Sequence, residues 1–217
     1  MSLSTPRCLP LGDSALMVVF GDRIDQAVHA RVVRATESLR SLPMRGVSEI
    51  VPAYATLAIW YDPLARSHQD LAGELVDRLG ALAEAPAPTA GREWTIPVRY
   101  DGPDLADVAE RTGLSTDEVV ARHAARAYRV YLLGFVPGFA YLGELDPALV
   151  LPRRASPRQR VPAGSVAIAG AQTAVYPLDT PGGWHLIGHT DLALFDPSRE
   201  PAALLGVGDT VRFEPVA

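Results

Sequence analysis

Four arginines lie within eight consecutive residues in the second half of the chain: Arg153, Arg154, Arg158 and Arg160. Guanidinium groups donate paired, charge-assisted hydrogen bonds to carboxylates and phosphates, so arginines that converge can clamp an anion. A solvated surface loop is the alternative interpretation. Because the run leads directly into the most glycine-rich stretch of the sequence, all four arginines are candidate substrate-binding residues.

Polar and aromatic side chains near this run are candidates for orienting a small substrate. Gln172, Thr173 and Tyr176 could present hydrogen-bond donors and acceptors to an amide-like group. Residues 134–143 combine glycines with aromatic residues, and Phe139 among them could supply an apolar wall. A turn between two strands, with its aromatic residues in a core, is the other interpretation of that segment.

Two histidines follow in the same half of the chain. His185 and His189 could act as a general acid or base near neutral pH, although a structural role is commoner for either one alone. As zinc ligands they fit poorly, because residues i and i+4 of a strand lie roughly 13 Å apart. A triad of Ser165, His185 and Asp191 lacks the spacing of a nucleophile elbow, and we reject it.

The composition removes several kinds of chemistry. All 20 basic residues are arginines, so no lysine is present to form a Schiff base, contact a nucleotide phosphate in a Walker motif or carry biotin. The single cysteine, Cys8, allows neither an internal disulfide nor a cysteine-based zinc site. A net charge of −5, spread over both halves, is untypical of a nucleic-acid-binding module.

Nothing in the sequence predicts a membrane segment. The most apolar run, residues 130–143, is interrupted by Pro137 and is too short to span a bilayer. Residues 1–11 lack the apolar core of a signal peptide. We therefore expect a soluble cytoplasmic protein without a membrane partner and without a bound metal.

The hydrophobic pattern predicts an α+β protein of two domains. Residues 1–84 alternate strand and helix patterns, as in a small two-layer sandwich. Residues 85–92 are rich in proline and alanine, which favours an extended linker. Residues 93–217 begin with a strand and two short helices, the second with a capping box at 115–118. Many short strands then follow, one of them predicted over 161–168, and indicate a β-barrel or sandwich.

Short motifs in both halves resemble, in order and spacing, those of the Kip inhibitor family. This family includes a subunit of bacterial 5-oxoprolinase and is also called allophanate hydrolase subunit 1, or carboxyltransferase subdomain C and D. The run YRVYLLGFVPGFAYLG at 128–143 matches the family's hallmark. Further motifs match at 12–15, 55–62, 152–170, 172–177 and 181–190, so the resemblance covers almost the whole chain.

The resemblance implies a small two-layer α+β N-terminal domain and a cyclophilin-like β-barrel C-terminal domain. It implies one subunit, inactive alone, of an ATP-dependent 5-oxoprolinase that hydrolyses 5-oxo-L-proline to L-glutamate. The expected partners are a larger subunit of related barrel architecture and a third subunit, with ATP bound between subunits or on a partner. An isolated subunit with an exposed apolar face would be expected to form a homodimer.

Two histidines, His189 and His123, are the candidate catalytic residues. His189 stands where the family usually has arginine, so it would bind an anion only when protonated. His123 matches a histidine of the family pattern and is a candidate site or interface residue, with a structural role as the alternative.

Two other functions occur within the same family. One is the carboxyltransferase half of a biotin-dependent urea carboxylase or allophanate hydrolase-type system, which needs a biotin carrier elsewhere. The other is inhibition of a sensor histidine kinase. A full set of oxoprolinase genes beside this one would favour the first function, a biotin carboxylase gene the second, and a kinase gene the third.

Overall fold

The computed structural model describes residues 6–81 and 91–217. The chain divides into two compact units, Met1–Thr89 and Ala90–Ala217. Each unit combines helices with a mainly antiparallel sheet, so the predicted α+β class is confirmed. Of the linker predicted at 85–92, residues 85–90 lie outside the described residues. The domain limits predicted on either side of the linker stay predictions. No helix in the described ranges is long and apolar enough to cross a membrane.

Within residues 6–81 the first unit contains four strands and two helices: β1 (Arg7–Pro10), β2 (Ala15–Val19), α1 (Gln26–Ser41), β3 (Val47–Ala53), β4 (Thr56–Tyr61) and α2 (His68–Ala81). The strands form one antiparallel sheet in the order β1–β2–β4–β3. Asp25 begins α1, because its carboxylate accepts the N–H groups of Ala27 and Val28 at 2.9 and 3.0 Å. Alternate residues of β2 and β4 pack with both helices in one apolar core, which makes the predicted two-layer sandwich.

Within residues 91–217 the second unit contains two helices and nine strands: β5 (Glu93–Val98), α3 (Leu105–Thr112), α4 (Thr116–Ala124), β6 (Ala127–Leu133), β7 (Ala140–Gly143), β8 (Arg158–Val161), β9 (Ser165–Ala169), β10 (Gln172–Val175), β11 (Thr180–Gly182), β12 (His185–His189) and β13 (Thr210–Pro215). The predicted capping box of α4 is confirmed. Ser115 Oγ accepts the Glu118 N–H at 3.2 Å, and the Glu118 carboxylate accepts the Ser115 N–H at 2.8 Å.

Seven of these strands form a nearly closed barrel. Their order is β12–β9–β10–β7–β6–β13–β5, and every neighbouring pair is antiparallel except β13 and β5. The two edges meet where Arg99, just after β5, pairs with His189 at the end of β12. Their backbone N–H and carbonyl groups form two hydrogen bonds of 2.9 and 2.8 Å. The predicted β-barrel is therefore confirmed.

The barrel strands carry a different set of side chains on each face. Val166 and Ile168 of β9 belong to the core inside the barrel. Ala167 and Ala169 of the same strand belong to a second apolar cluster on its outer face. Because alanine is small, the outer face of β9 leaves room for aromatic side chains to lie against it.

One strand predicted from the sequence is wrong in extent. The predicted strand at 161–168 is divided into β8 and β9 by a turn at residues 162–164. Gly164 has φ +82°, and the Ser165 N–H donates to the Pro162 carbonyl at 3.3 Å. A left-handed φ favours glycine, so Pro162 and Gly164 together were the signal for a turn that the apolar residues around them obscured.

Candidate functional site

The four predicted arginines all lie in residues 152–160, here called the arginine loop. A single buried carboxylate holds two of them. Asp104, which precedes α3, is 4% exposed. Its Oδ1 accepts hydrogen bonds from Arg154 Nη1 at 2.8 Å and Arg158 Nη2 at 2.7 Å. Its Oδ2 accepts the Leu186 N–H at 2.7 Å. Burial of a carboxylate is costly unless it is paired, and these donors supply the pairing. Arg154 and Arg158 are thus engaged by a partner inside the protein.

The environment of Asp104 keeps it ionised at neutral pH. Burial raises the pKa of its carboxyl group, whereas the hydrogen bonds from Arg158 and the Leu186 N–H lower it. With the charges of Arg158 and Arg154 added, the pKa lies below its ordinary value. Because two guanidinium groups share one carboxylate, the cluster keeps an excess of positive charge, which attracts an anion to this part of the surface.

Arg160 pairs with a different carboxylate. Its Nε donates to Asp179 Oδ2 at 2.7 Å, and Asp179 Oδ1 accepts the Ala163 N–H at 2.8 Å. These bonds lower the pKa of Asp179, with the Ala163 N–H as the largest cause. The Arg160 side chain is 79% exposed. Arg160 therefore holds the turn between β8 and β9 and does not join the Asp104 cluster.

Arg153 is the one arginine of the four that has no carboxylate partner among the described residues. Its guanidinium carbon lies 6.0 Å from the centroid of the Trp184 ring, which is a cation–π contact. The side chain is exposed. Its charge also acts on the phenols of Tyr141 and Tyr176, where it opposes the rise in pKa that burial causes. The predicted role of Arg153 in anion binding stays a prediction, and its exposed guanidinium is compatible with that role.

Four residues form what we call the aromatic cluster on the outer face of the barrel: Phe139, Tyr141, Tyr176 and Trp184. Phe139 lies at its centre, 2% exposed, and meets the other three rings edge to face at centroid distances of 4.9 to 5.9 Å. The alanines of β9 and Ala174 of β10 form the floor beneath these rings. The cluster is a mostly buried apolar group beside the Arg153 guanidinium.

The members of the aromatic cluster differ in their access to a ligand. Phe139 and Tyr176 are almost fully buried, so they support the site from below rather than form its exposed surface. Tyr141 is half-buried, and Phe135 extends the surface into solvent, 60% exposed and 5.5 Å from the Phe139 ring. The structure thus places Phe139 and Tyr176 beneath the surface to which Tyr141 and Arg153 contribute. Their predicted contacts with substrate stay predictions.

His123 and Thr173 lie inside the barrel instead. His123 is fully buried, with Nε2 2.8 Å from Thr173 Oγ1 and Nδ1 2.7 Å from the Tyr100 hydroxyl. The Thr173 hydroxyl already donates to the Ala167 carbonyl at 3.0 Å, so it accepts from Nε2–H, and Nδ1 accepts from Tyr100. Burial lowers the pKa of His123 to about 3, so the ring is neutral.

This geometry supports the structural alternative for His123. Both ring nitrogens are used by neighbours within the barrel, and Phe213 stacks on the ring at 4.6 Å. Thr173 likewise points its hydroxyl inwards, away from the aromatic cluster. His123 and Thr173 therefore lie apart from the aromatic cluster, and their predicted catalytic and substrate-binding roles stay predictions.

His189 lies at the closing seam of the barrel. Its Nε2 is 3.3 Å from Asp191 Oδ1, and Asp191 also accepts two hydrogen bonds from Arg99 at 2.8 and 3.2 Å. These bonds, with the charge of Arg99, lower the pKa of Asp191. His189 stands at the far end of β12 from the arginine loop, and its predicted catalytic role stays a prediction. Within residues 6–81 and 91–217, no group of three or more metal-ligating side chains is placed to hold a metal ion.

Gln172 lies on the same face of the sheet as the aromatic cluster. It opens β10 and pairs with Ala169 of β9, whose side chain belongs to the outer apolar cluster. Residues directly opposite each other in an antiparallel pair present their side chains on one face. The half-buried Gln172 side chain is therefore on the outer face, and its predicted hydrogen bond to an amide-like substrate stays a prediction.

The residues that hold the arginine loop were missed by sequence reasoning. Asp104 stands just before a helix and has the character of a cap, while its arginine partners lie 50 and 54 residues further along the chain. For His185 a structural role was the commoner alternative, but its contact was not foreseen: the ring is fully buried and its Nε2 donates to the Pro152 carbonyl at 2.9 Å. No local sequence pattern predicts the contacts of Asp104 or His185, because their partners are distant in the sequence.

Comparison with known proteins agrees with the fold and the motifs. The family model described as "Carboxyltransferase domain, subdomain C and D" matches residues 6–205. A Bacillus subtilis (strain 168) protein named as a 5-oxoprolinase subunit is 42% identical over 216 residues, which cover 94% of this chain and 90% of that protein. An Escherichia coli O157:H7 protein of the same name is 44% identical over 215 residues, which cover 96% and 95%.

A solved structure agrees in the backbone as well. The crystal structure of TTHA0988 is 45% identical with a TM-score of 0.83, and the match covers 94% of this chain and 40% of that longer one. The family match includes the arginine loop and the whole aromatic cluster. On the family model and on both named relatives, the chain belongs to the carboxyltransferase domain family, subdomain C and D, alongside proteins named as 5-oxoprolinase subunits.

Proposed function

We propose that this chain is one subunit of an ATP-dependent 5-oxoprolinase complex, which hydrolyses 5-oxo-L-proline to L-glutamate. Two relatives above 40% identity are named as subunits of 5-oxoprolinase, and the match covers at least 90% of each. The word subunit in these names supports an assembly. In that assembly the chain acts in the cytoplasm with a larger barrel-type subunit and a third subunit, and it is inactive alone.

The position of Arg153 carries the chemical part of the proposal. The substrate is a small five-membered lactam ring with one carboxylate. Arg153 offers one exposed guanidinium, packed on Trp184 and without a carboxylate of its own in the described chain. It would bind the substrate carboxylate through two parallel hydrogen bonds. Tyr141 would pack against the apolar edge of the lactam, and Gln172 would hydrogen-bond its amide.

The same geometry limits what this chain contributes. A lactam carbonyl is a poor electrophile, and ATP supplies its activation in the complex by phosphorylation of the amide oxygen before water attacks. Across residues 91–217, the arginine loop offers one guanidinium without a carboxylate partner, which suits a single carboxylate better than a triphosphate. We therefore assign the ATP site to a partner or to a subunit boundary, and assign substrate binding and orientation to this chain.

Co-expression with the two cognate partner subunits tests the proposal. The formation of ADP and glutamate from 5-oxoproline is measured with all three subunits and then with each one omitted in turn. We expect activity only when this chain is present. A second complex, in which this chain carries Arg153→Ala, tests the site: it should assemble normally and show a raised KM for 5-oxoproline.

Two other outcomes would redirect the assignment. A complex that assembles but never turns over 5-oxoproline contradicts the proposal, and urea-type amides with carboxybiotin would be the next substrates to assay. If the three subunits do not associate at all, inhibition of a sensor histidine kinase becomes the function to assay, with kinase autophosphorylation as the readout.

A further inference from the structure

The cation–π contact between Arg153 and Trp184 is flanked by two hydrogen bonds, which join residues 152–154 to residues 183–185. On one side, the carbonyl of Pro152 accepts a hydrogen bond from His185 Nε2 at 2.9 Å. On the other side, the N–H of residue 154 donates to the carbonyl of residue 183 at 2.8 Å. The arginine that faces solvent is therefore fixed over the indole by bonds one residue before it and one residue after it.

Asp104 also forms hydrogen bonds that join the arginine loop to the chain that follows Trp184. One of its carboxylate oxygens holds the side chains of Arg154 and Arg158 in the arginine loop. The other oxygen accepts the N–H of Leu186, and the Asp104 N–H donates to the Leu186 carbonyl at 3.0 Å. A single residue at the start of α3 thus bonds both to the loop that carries Arg153 and to the strand that follows the indole.

We infer that Asp104 and His185 are positioning residues, which fix the Arg153 segment over the Trp184 segment without contacting the substrate. The inference rests on the proposed function, because it takes Arg153 as the group that binds the carboxylate of 5-oxoproline. Both residues are buried, at 4% and 0% exposure, so they act on the substrate through the arginine that they hold in place.

The change Asp104→Asn tests the hydrogen bonds and charge of this side chain, because asparagine has nearly the same size and shape as aspartate. An asparagine side chain has one acceptor oxygen, whereas three donors meet the two oxygens of Asp104. The amide also removes the negative charge that two neighbouring guanidinium groups share. The arginine loop then loses its fixed geometry, and a displacement of about 1 Å at a binding group can cost on the order of 100-fold.

The test is a steady-state assay of the complete three-subunit complex. We expect Asp104→Asn to raise the KM for 5-oxoproline about 10- to 100-fold and to leave kcat within a few-fold, because substrate placement is impaired while the activation step is not. Asp117→Asn, at an exposed carboxylate in the first turn of α4, is the matched control and should leave both constants unchanged.

A double-mutant cycle distinguishes positioning from general destabilisation. If Asp104 acts through Arg153, then Asp104→Asn adds no further rise in KM when Arg153 is already alanine. A merely structural role would lower the yield or the thermal stability of both backgrounds equally. Independent, multiplicative effects of the two changes on KM would overturn the inference.

If the Asp104 variant does not assemble into the complex, variants of His185 test the same inference. His185→Gln keeps a donor for the Pro152 carbonyl and should reverse much of the rise in KM that His185→Ala causes. Equal KM values for wild type, alanine and glutamine variants would overturn the inference while leaving the proposed function intact. A wild-type complex without 5-oxoprolinase activity would instead overturn the proposed function on which the inference rests.

Discussion

Asp104 and Arg158 are 54 residues apart in sequence, yet Asp104 Oδ1 and Arg158 Nη2 lie 2.7 Å apart in the fold. The contact ties the start of α3 to the strand β8, whereas Arg153 of the same loop is exposed. Asp104 thus holds two of the four arginines and Asp179 holds a third, whereas Arg153 has no carboxylate partner among the described residues. This division governs how each arginine should respond to substitution.

Arg153→Lys should raise the KM for 5-oxoproline in the reconstituted complex about tenfold or more. Lysine keeps the charge but not the planar pair of donors, and a hydrogen bond to a charged group contributes about 1.5–3 kcal/mol. Arg160→Lys is the matched control, because Arg160 is bound to Asp179 at a different point of the surface. Steady-state kinetics should show a normal KM for that control. A similar rise in KM for both variants would mean that overall charge, rather than the placement of Arg153, governs binding.

Phe139→Ala should destabilise the barrel by about 3–5 kcal/mol, the range for deletion of a buried phenylalanine. Phe139 is 2% exposed and meets three other rings, so its removal leaves a cavity beneath the aromatic cluster. Phe135→Ala, at a ring that is 60% exposed, should cost less than about 1 kcal/mol. Urea unfolding of the whole chain measures both changes. Equal losses for the two variants would contradict the central place of Phe139.

The strands and helices were largely predictable because they depend on local patterns. The capping box at Ser115 and Glu118 marks the start of α4 through two residues three apart. The barrel strands are short apolar runs between glycine and proline, which sequence alone displays. The turn that separates β8 from β9 was missed because the apolar residues on both sides of Pro162 and Gly164 continue the pattern of a strand.

The candidate site was less predictable because its residues share no local pattern. The aromatic residues and arginines were identified by type, but type alone did not reveal that Thr173 faces the barrel interior while Ala174 faces outwards. A strand alternates its faces with a period of two, so a shift of one residue reverses the assignment. The role of Asp104 depends on contacts across 50 residues or more, which require the closed barrel.

His123 should make the chain less stable below neutral pH. Its pKa is about 3 in the fold against an ordinary value of 6.5, so below pH 6.5 the unfolded chain binds a proton that the folded chain does not. Stability from this residue is complete above pH 6.5 and is lost as pH falls towards 3, by up to about 1.4 kcal/mol per pH unit. Urea unfolding at pH 7.0 and pH 5.0 measures this slope.

His123→Gln is the control for that slope. Glutamine can still donate to Thr173 and accept from Tyr100, but it does not titrate. The variant should therefore lose less stability between the two pH values than the wild type, while all other titrating groups contribute equally to both. An identical pH dependence would show that His123 binds its proton equally in the folded and the unfolded chain, and the lowered pKa assigned to it would be wrong.

Gly164→Ala should destabilise the barrel far more than Gly170→Ala, although both glycines have positive φ, +82° and +55°. At position 164 an added Cβ would overlap the carbonyl oxygen of Thr190 and lie 2.6 Å from His189 Cε1. The Thr190 N–H is bonded to the Gly164 carbonyl at 2.9 Å, so this backbone cannot easily move aside. At position 170 no atom lies within 4 Å of the added Cβ.

The two variants therefore share the backbone strain and differ in the clash. The left-handed conformation alone costs about 1–2 kcal/mol, and overpacking adds about 1–3 kcal/mol at position 164. Since Gly164 packs against His189 at the seam of the barrel, its variant should also accelerate amide hydrogen exchange at Arg99 and His189, whose backbone groups close the sheet. Urea midpoints together with exchange rates measure both effects, and equal midpoints for the two variants would refute the close packing of the turn against the seam.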